Sequence, residues 1–239
     1  CQDLKAFLGI EFPILPSREL TLYDSSVVSR GWEQKRLRQL YDLSCGNTRL
    51  QIMAWDALSL RTMPPAVLNN ATFSLEVGSQ YNLDDLIAQL THIGYSRCGM
   101  VEGPGQFAVR GGILDVYSPA ASMPIRAEFF GDELDTMGQF DPDTQRRTEN
   151  VDSLVVLPVG ETQPRLHPEG LAGLCNDLKS LISRQKRRKN PNENLIKTLS
   201  RDLEKYQNGL SNPASDRYMA LIYDENANAM DYIPRDAVV

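Results

Sequence analysis

The segment from Gly103 to Arg147, GPGQFAVRGGILDVYSPAASMPIRAEFFGDELDTMGQFDPDTQRR, constrains the fold more than any other part of the chain. Gly103, Pro104 and Gly105 open it as a turn, since glycine supplies positive φ and proline fixes φ near about −65°. Phe107 and Val109 alternate with small or polar neighbours until Gly111 and Gly112 break the run. Ile113 to Tyr117 and Ile125 to Phe130 are two further β-rich runs, with Gly131-Asp132 as the hairpin turn after the second. Asp141-Pro142-Asp143-Thr144 is another turn, just before Arg146. Short strands punctuated in this way predict a compact antiparallel sheet, whatever the chain does.

Two arginines interrupt these apolar strands. Arg110 ends the run from Gln106 beside two glycines, and Arg126 enters the run that closes with Phe129-Phe130. Side chains two apart on a strand share a face, so Arg126, Glu128 and Phe130 project together while Ile125, Ala127 and Phe129 point the other way. Phe129 is therefore expected in the core, beside Leu86 and Leu90. An arginine next to exposed aromatic area is a common interface anchor. Salt bridges to Asp115 or Glu128 are the structural alternative.

The motifs FAVRGGILDVY, PIRAEFFGDELD and FDPDTQRR, in this order, resemble the small domain shared by the excision-repair protein UvrB and the bacterial transcription-repair coupling factor (Mfd). LTLYDSSVVSRGWEQKRLRQLYDL before the block and MDYIPRDAVV near the end resemble the coupling factor more than UvrB. The resemblance covers nearly the whole chain, most weakly between Glu161 and Arg217. It implies a docking surface for the damage-recognition ATPase UvrA, inserted in a larger helicase-like domain. Residues matching Arg110, Arg126 and Phe130 contribute to that UvrA-binding face in the family. It implies further that such a module recruits UvrA to stalled RNA polymerase for nucleotide excision repair. RNA polymerase and DNA would be engaged through domains outside this chain, and other domains of the same parent protein could mask the UvrA-binding face. A fragment of a UvrB-like DNA-binding helicase or ATPase is the alternative. UvrB continues into an aromatic-rich, DNA-gripping β-hairpin region, and no such hairpin precedes the block here.

The expected fold class is α/β: an incomplete helicase-like parallel α/β domain carrying a small α+β insert of antiparallel sheet and helix. Residues 1–71 form its first part. There, Phe12-Pro13-Ile14-Leu15-Pro16 reads as extended, a helix starts near Ser29, and Arg49 to Trp55 reads as a strand. Ala57 to Arg61 reads as a short helix ended by Pro64-Pro65. The insert, 72–159, starts with a strand from Thr72 to Val77. A helix follows with Leu83, Leu86, Ile87, Leu90 and Ile93 on one face, capped by Asn82 and stopped by Gly94. Four to six strands then run to Leu157. Residues 160–239 return to the larger domain. One helix presents Leu171, Leu174, Leu178, Leu181 and Ile182, and a second, capped by Asn190 with Pro191 at its first position, presents Leu195, Leu199, Leu203 and Tyr206. Met219 to Tyr223 and Ala237-Val238-Val239 read as closing strands.

Catalytic and cofactor motifs are missing from the sequence. It contains no GxxxxGK[ST], the loop whose amides and lysine cradle nucleotide phosphates. Met219 to Tyr223 followed by Asp224-Glu225 imitates the strand and acidic pair of an ATPase, but reads as a strand end with solvated carboxylates. The resemblance would place UvrB's acidic pair beyond Val239 and its phosphate loop ahead of Cys1. The chain is therefore expected to be no enzyme and to bind no ATP, cofactor or metal. The parent protein would be an ATP-dependent DNA translocase through other domains. His92 and His167 are distant from each other and read as surface or capping residues. Asp132, Glu133 and Asp135 read as a solvated turn edge.

A net charge of −6 argues against a surface built to hold DNA. The exception is Arg184-Gln185-Lys186-Arg187-Arg188-Lys189, which reads as a solvated connection between helices or as a contact for DNA or an acidic partner. Duplex DNA is accordingly expected to bind weakly and salt-dependently. Cys1, Cys45, Cys98 and Cys175 show no CxxC spacing and read as free thiols in a reducing cytoplasm. No apolar run approaches a membrane span, and a fragment boundary is expected at Cys1.

Overall fold

Arg30–Ser44 (α1) is helical because Leu37, Leu40 and Leu43 fall at three-residue spacing and bury on one side. Gly46, at φ 69°, ends that run. The computed structural model describes residues 5–7, 9, 12–17, 30–48, 50–234 and 236–237. Cys1, the expected helix start at Ser29, the strand start at Arg49 and the closing Val238-Val239 lie outside the described residues. The chain is mixed α/β and forms two compact units, one holding the described residues up to Glu161 and from Ala227, the other Thr162–Asn226.

In the first unit, Ile14–Leu15 (β1) pairs in parallel with Ile52–Met53 (β2). The strand expected over 49–55 is therefore cut short. Trp55–Ser59 (α2) is already helical, with the Asp56 carboxylate accepting the Ala57 N–H in the first turn. The short helix expected over 57–61 is thus present but starts and ends two residues earlier, and its last expected position, Arg61, opens Arg61–Thr62 (β3). Pro65 opens Pro65–Ala71 (α3) instead of ending a helix, because the first turn needs no proline N–H.

Phe73–Glu76 (β4) leads to Leu83–His92 (α4), whose Asn82 cap accepts the N–H groups of Asp84 and Asp85. Gly94 sits at φ 100° after the helix. Ser96–Arg97 (β5), Gln106–Arg110 (β6), Ile113–Val116 (β7), Ile125–Phe130 (β8), Glu133–Phe140 (β9) and Arg147–Asn150 (β10) then form one sheet in the order β10-β9-β8-β7-β6-β5. Its pairs are antiparallel except β5 with β6, which is parallel. Ser153–Val156 (β11) pairs with β4 instead. The run of strands after α4 thus exceeds the four to six expected, because two-residue β5 and the fully exposed β10 carry no hydrophobic alternation.

Alternation gives the six-stranded sheet two faces. Phe107, Leu114, Val116, Ile125, Ala127, Leu134 and Met137 are buried on one. Asp135 is an extra residue in β9. Ala127 faces Met137 and Glu128 faces Thr136, yet Phe129 faces Leu134. This bulge keeps both Leu134 and Met137 on the core side. Phe129 is only half-buried, short of the core position expected for it, since it lies beyond the bulge near the sheet's end.

The unit closes with Ala227–Asn228 (β12) on β3 and a 3-10 turn, Ala229–Tyr232, whose Tyr232 hydroxyl donates to Met63 O at 2.7 Å. Arg36 is buried in it. Its Nε donates to Glu161 Oε1 at 2.8 Å and its Nη1 to Pro16 O and Ala57 O. Thr62 Oγ1 donates to the other Glu161 oxygen. A fully buried carboxylate is thereby satisfied by a guanidinium and a hydroxyl.

The second unit is helical. Gly170–Lys186 (α5) buries Leu174, Cys175, Leu178 and Ile182 and packs on Glu193–Gln207 (α6). Asn192, not Asn190, caps α6 by accepting the Leu195 N–H, so Pro191 stays in the loop. The buried face of α6 accordingly carries Ile196, Leu199 and Tyr206, while Leu195 is exposed. Met219 to Tyr223 is no strand. A 3-10 turn, Ser215–Tyr218, runs into Met219–Ile222 (α7). Four apolar residues in a row fit either state, and here burial of Tyr218, Met219, Ile222 and Tyr223 follows helical spacing. Asp202 is fully buried between these elements, accepting the Tyr218 hydroxyl at 2.6 Å, with Arg217 Nη1 3.4 Å away.

Candidate docking face

The other face of the six-stranded sheet is built on one cross-strand row. Ala108 on β6 faces Asp115 on β7, Asp115 faces Arg126 on β8, and Arg126 faces Gly138 on β9. At one end Val101, Ala108 and Phe140 pack together with Cys98 and Tyr117 and cover this row. Asp115 is consequently 0% exposed, although its strand reads as an ordinary alternating one.

Two arginines answer that buried carboxylate. Arg126 donates through Nε to Oδ1 at 2.7 Å and through Nη2 to Oδ2 at 2.9 Å, a bidentate pair, and its guanidinium carbon lies 4.8 Å from the Phe140 ring centre. The hydrogen bonds that Arg126 donates to Asp115 raise its pKa above the ordinary value, so this cation is fixed. Arg110 Nη2 also reaches Oδ2, at 2.5 Å. The two side chains differ in access: Arg126 is 21% exposed and Arg110 49%. Arg126 is held, whereas Arg110 presents half of its surface to solvent.

Of the three residues singled out in the sequence, Arg110 and Arg126 thus meet on Asp115. Phe130 lies on the same face, one alternation beyond Glu128 at the open end of β8, and its side chain is 84% exposed. Both arginines therefore form the salt bridge to Asp115 that was the structural alternative, as a two-cation, one-carboxylate cluster. Gly112 backs this end tightly: its carbonyl accepts the Phe129 N–H at 2.7 Å, and a methyl in its place would lie 2.8 Å from Phe129 O.

Arg147 is a further member that the sequence did not announce. Its Nη1 donates to Glu128 Oε1 at 3.1 Å and its Nη2 to Met137 O at 2.7 Å, lying across Gly138 where any side chain would collide with it. A glycine within an otherwise alternating strand was the available signal. Three guanidinium groups thus share this face with three carboxylates, Asp115, Glu128 and Glu133, the last directly opposite Phe130.

The remaining candidates lie outside the arginine row. Asp132, Glu133 and Asp135 are exposed at the hairpin edge, and His92 ends α4 in solvent. His167 accepts the Glu169 N–H through Nδ1 in the turn before α5, and its Nε2 lies 3.4 Å from Asp177 Oδ2, so it is a largely buried turn residue rather than a helix cap. Asp224 and Glu225 follow a helix rather than a strand. No metal-holding group of histidine, cysteine and carboxylate side chains occurs among the described residues, and none of their helices is long and apolar enough to cross a membrane. Cys45, Cys98 and Cys175 are free thiols, and partial burial raises the Cys98 pKa.

Residues 73–161 match the UvrB interaction domain. The transcription-repair-coupling factor of Bacillus subtilis (strain 168) is 28% identical over 244 residues, which is 99% of this chain and 20% of that protein. That of Myxococcus xanthus is 33% identical over 178 residues, 68% of the chain and 15% of the relative. A third, from Staphylococcus aureus (strain MRSA252), is 26% identical over 246 residues. The chain spans about a fifth of the length of the curated relatives that it matches. It carries a UvrB interaction domain at 73–161 and resembles, over nearly all of its length, the N-terminal UvrB-like region of the transcription-repair-coupling factors.

Proposed function

We propose that the chain is a non-catalytic recruitment module of a bacterial transcription-repair coupling factor, and that it docks UvrA through Arg110, Arg126 and Phe130. The observation that carries this reading is the cluster within the matched domain: a half-exposed Arg110 sharing buried Asp115 with Arg126, on the face that leaves Phe130 almost bare. An exposed ring beside fixed guanidinium groups fits an acidic patch with an apolar spot. Residues 72–159 form the docking domain, inserted between 1–71 and 160–239 of a degenerate helicase-like frame, whose parallel β1–β2 pair supports that descent. The parent protein would work in the cytoplasm as an ATP-dependent translocase. It would meet RNA polymerase and DNA through domains outside this chain, some of which could mask the docking face.

The test is calorimetric titration of purified UvrA into the chain. Saturable binding of the parent chain, weakened at least tenfold by Arg110→Ala and by Phe130→Ala, is the expected result. Parent-like affinity in both variants would overturn the assignment. Saturable ATP binding by the chain at micromolar concentration would instead favour the helicase-fragment alternative.

A further inference from the structure

The loop between α5 and α6 gathers charge in a way that the docking reading leaves unused. Thr162–Asn226 holds eleven Lys and Arg against eight Asp and Glu, a net +3, so the rest of a chain of charge −6 carries −9. The excess is local. Between Arg184 and Lys197 stand Arg184, Lys186, Arg187, Arg188, Lys189 and Lys197, opposed by Glu193 alone. All six cations are exposed, and among the described residues none is in an ion pair. The other cluster of Lys and Arg in this unit has its counter-ion: Arg201, Lys205 and Arg217 surround Asp202.

Fold demands do not account for this. Six like charges at one tip repel one another, and the last turn of α5 needs one or two cations at most to answer the helix dipole. Solubility would be served equally by mixed signs. Neutral donors accompany the cations. Gln185, Asn190 and Asn194 are there with them, and the Asn192 side chain is engaged in the α6 cap.

We infer that the tip of the α5–α6 hairpin binds the sugar–phosphate backbone of duplex DNA. Cations with amide donors are the groups that contact phosphate without reading sequence. A protein partner of ordinary type would meet a buried apolar or aromatic anchor, and among the described residues the only large apolar side chain exposed at the tip is Leu195, at its rim. A single strand would be met by stacking rings, and residues 184–197 contain no aromatic residue. The site has few cations and an acidic chain behind it, so affinity lies in the non-specific range of about 10⁻⁴–10⁻⁶ M. It would hold DNA already brought close by other contacts.

The experiment is fluorescence anisotropy of the 239-residue chain with a labelled DNA duplex, repeated from 50 to 200 mM salt. About four phosphate contacts give a slope of log K on log salt near −3.6 and a loss of roughly a hundredfold across that range. Arg187→Glu with Arg188→Glu should reduce binding at least tenfold. Lys35→Glu with Arg97→Glu, the same change of charge at exposed positions elsewhere, should reduce it less than threefold. Equal loss in both double variants would reduce the site to bulk charge and overturn the inference. So would failure to bind at 50 mM salt, binding insensitive to salt, or a poly-glutamate competitor that displaces the duplex at equal charge concentration. Circular dichroism confirms folding of each variant. UvrA affinity of the Arg187→Glu, Arg188→Glu chain should equal the parent's, which separates this site from the docking face. A loss there would mark the tip as protein surface.

Discussion

Arg126 grips Asp115 with two hydrogen bonds, while Arg110 reaches only one oxygen of the same carboxylate. The two arginines are therefore unequal. Arg126 belongs to the structure of the sheet, packed over Phe140, and Arg110 leans on it from solvent. This relationship separates stability from binding.

Asp115→Ala should be strongly destabilising, by about 3–5 kcal/mol, because it strands a partly buried guanidinium and empties a fully buried site. Arg110→Ala should cost under about 1 kcal/mol, since its pair is half in water. Denaturant unfolding of the two variants checks this. Equal losses would show that Arg110 is structural and would remove it from the docking face.

Phe130→Ala should leave stability within about 0.5 kcal/mol of the parent, because its ring touches mostly solvent. Phe129→Ala should cost about 1–2 kcal/mol, below the value for a full core aromatic, since the ring is only half-buried. Melting temperatures measured beside UvrA affinity give opposite rankings for the neighbours: Phe129 matters to folding and Phe130 to docking.

Glu161→Gln should destabilise the first unit by roughly 3–5 kcal/mol by leaving Arg36 charged and buried without its partner. Arg36→Met combined with the same Glu161→Gln should recover much of that loss. Non-additivity in the double-mutant cycle is the readout.

Burial pushes the Tyr206 hydroxyl up to about 12 and raises that of Tyr218 as well. An unfolded tyrosine titrates near about 10. The folded state thus keeps a proton that the unfolded state has already lost. Stability from these groups is complete below pH about 10 and falls as the pH rises through the folded value. Far-ultraviolet dichroism followed against tyrosinate absorbance should show helix lost together with ionisation. In Tyr206→Phe the onset should move to higher pH.

The antiparallel sheet was legible because its signals are local: glycine and proline turns, period-two alternation and the Gly131-Asp132 hairpin. Asn82 and Gly94 bounded α4 for the same reason. Burial of Asp115 was not legible, since Val101, Ala108 and Phe140 that cover it come from three separate segments. Arg147 depended on an empty position at Gly138 across a bulged strand. Met219–Ile222 and the Pro64-Pro65 pair failed differently. Both are short enough for tertiary contacts to override local preference, and a proline that ends one helix serves equally to start the next.

The bulge at Asp135 offers a way to re-aim the proposed docking face. Removing that single residue would restore an unbroken ladder in which Leu134 and Met137 still face inward, so folding would survive. What would change is the coil of the ribbon beyond it, because a bulge adds local twist. Phe130 rides on that ribbon's end, and the arginine row lies on the near side. Deleting Asp135 should therefore change the angle between ring and guanidinium groups. Docking strength could be adjusted there by geometry alone, with every contacting side chain left as it is.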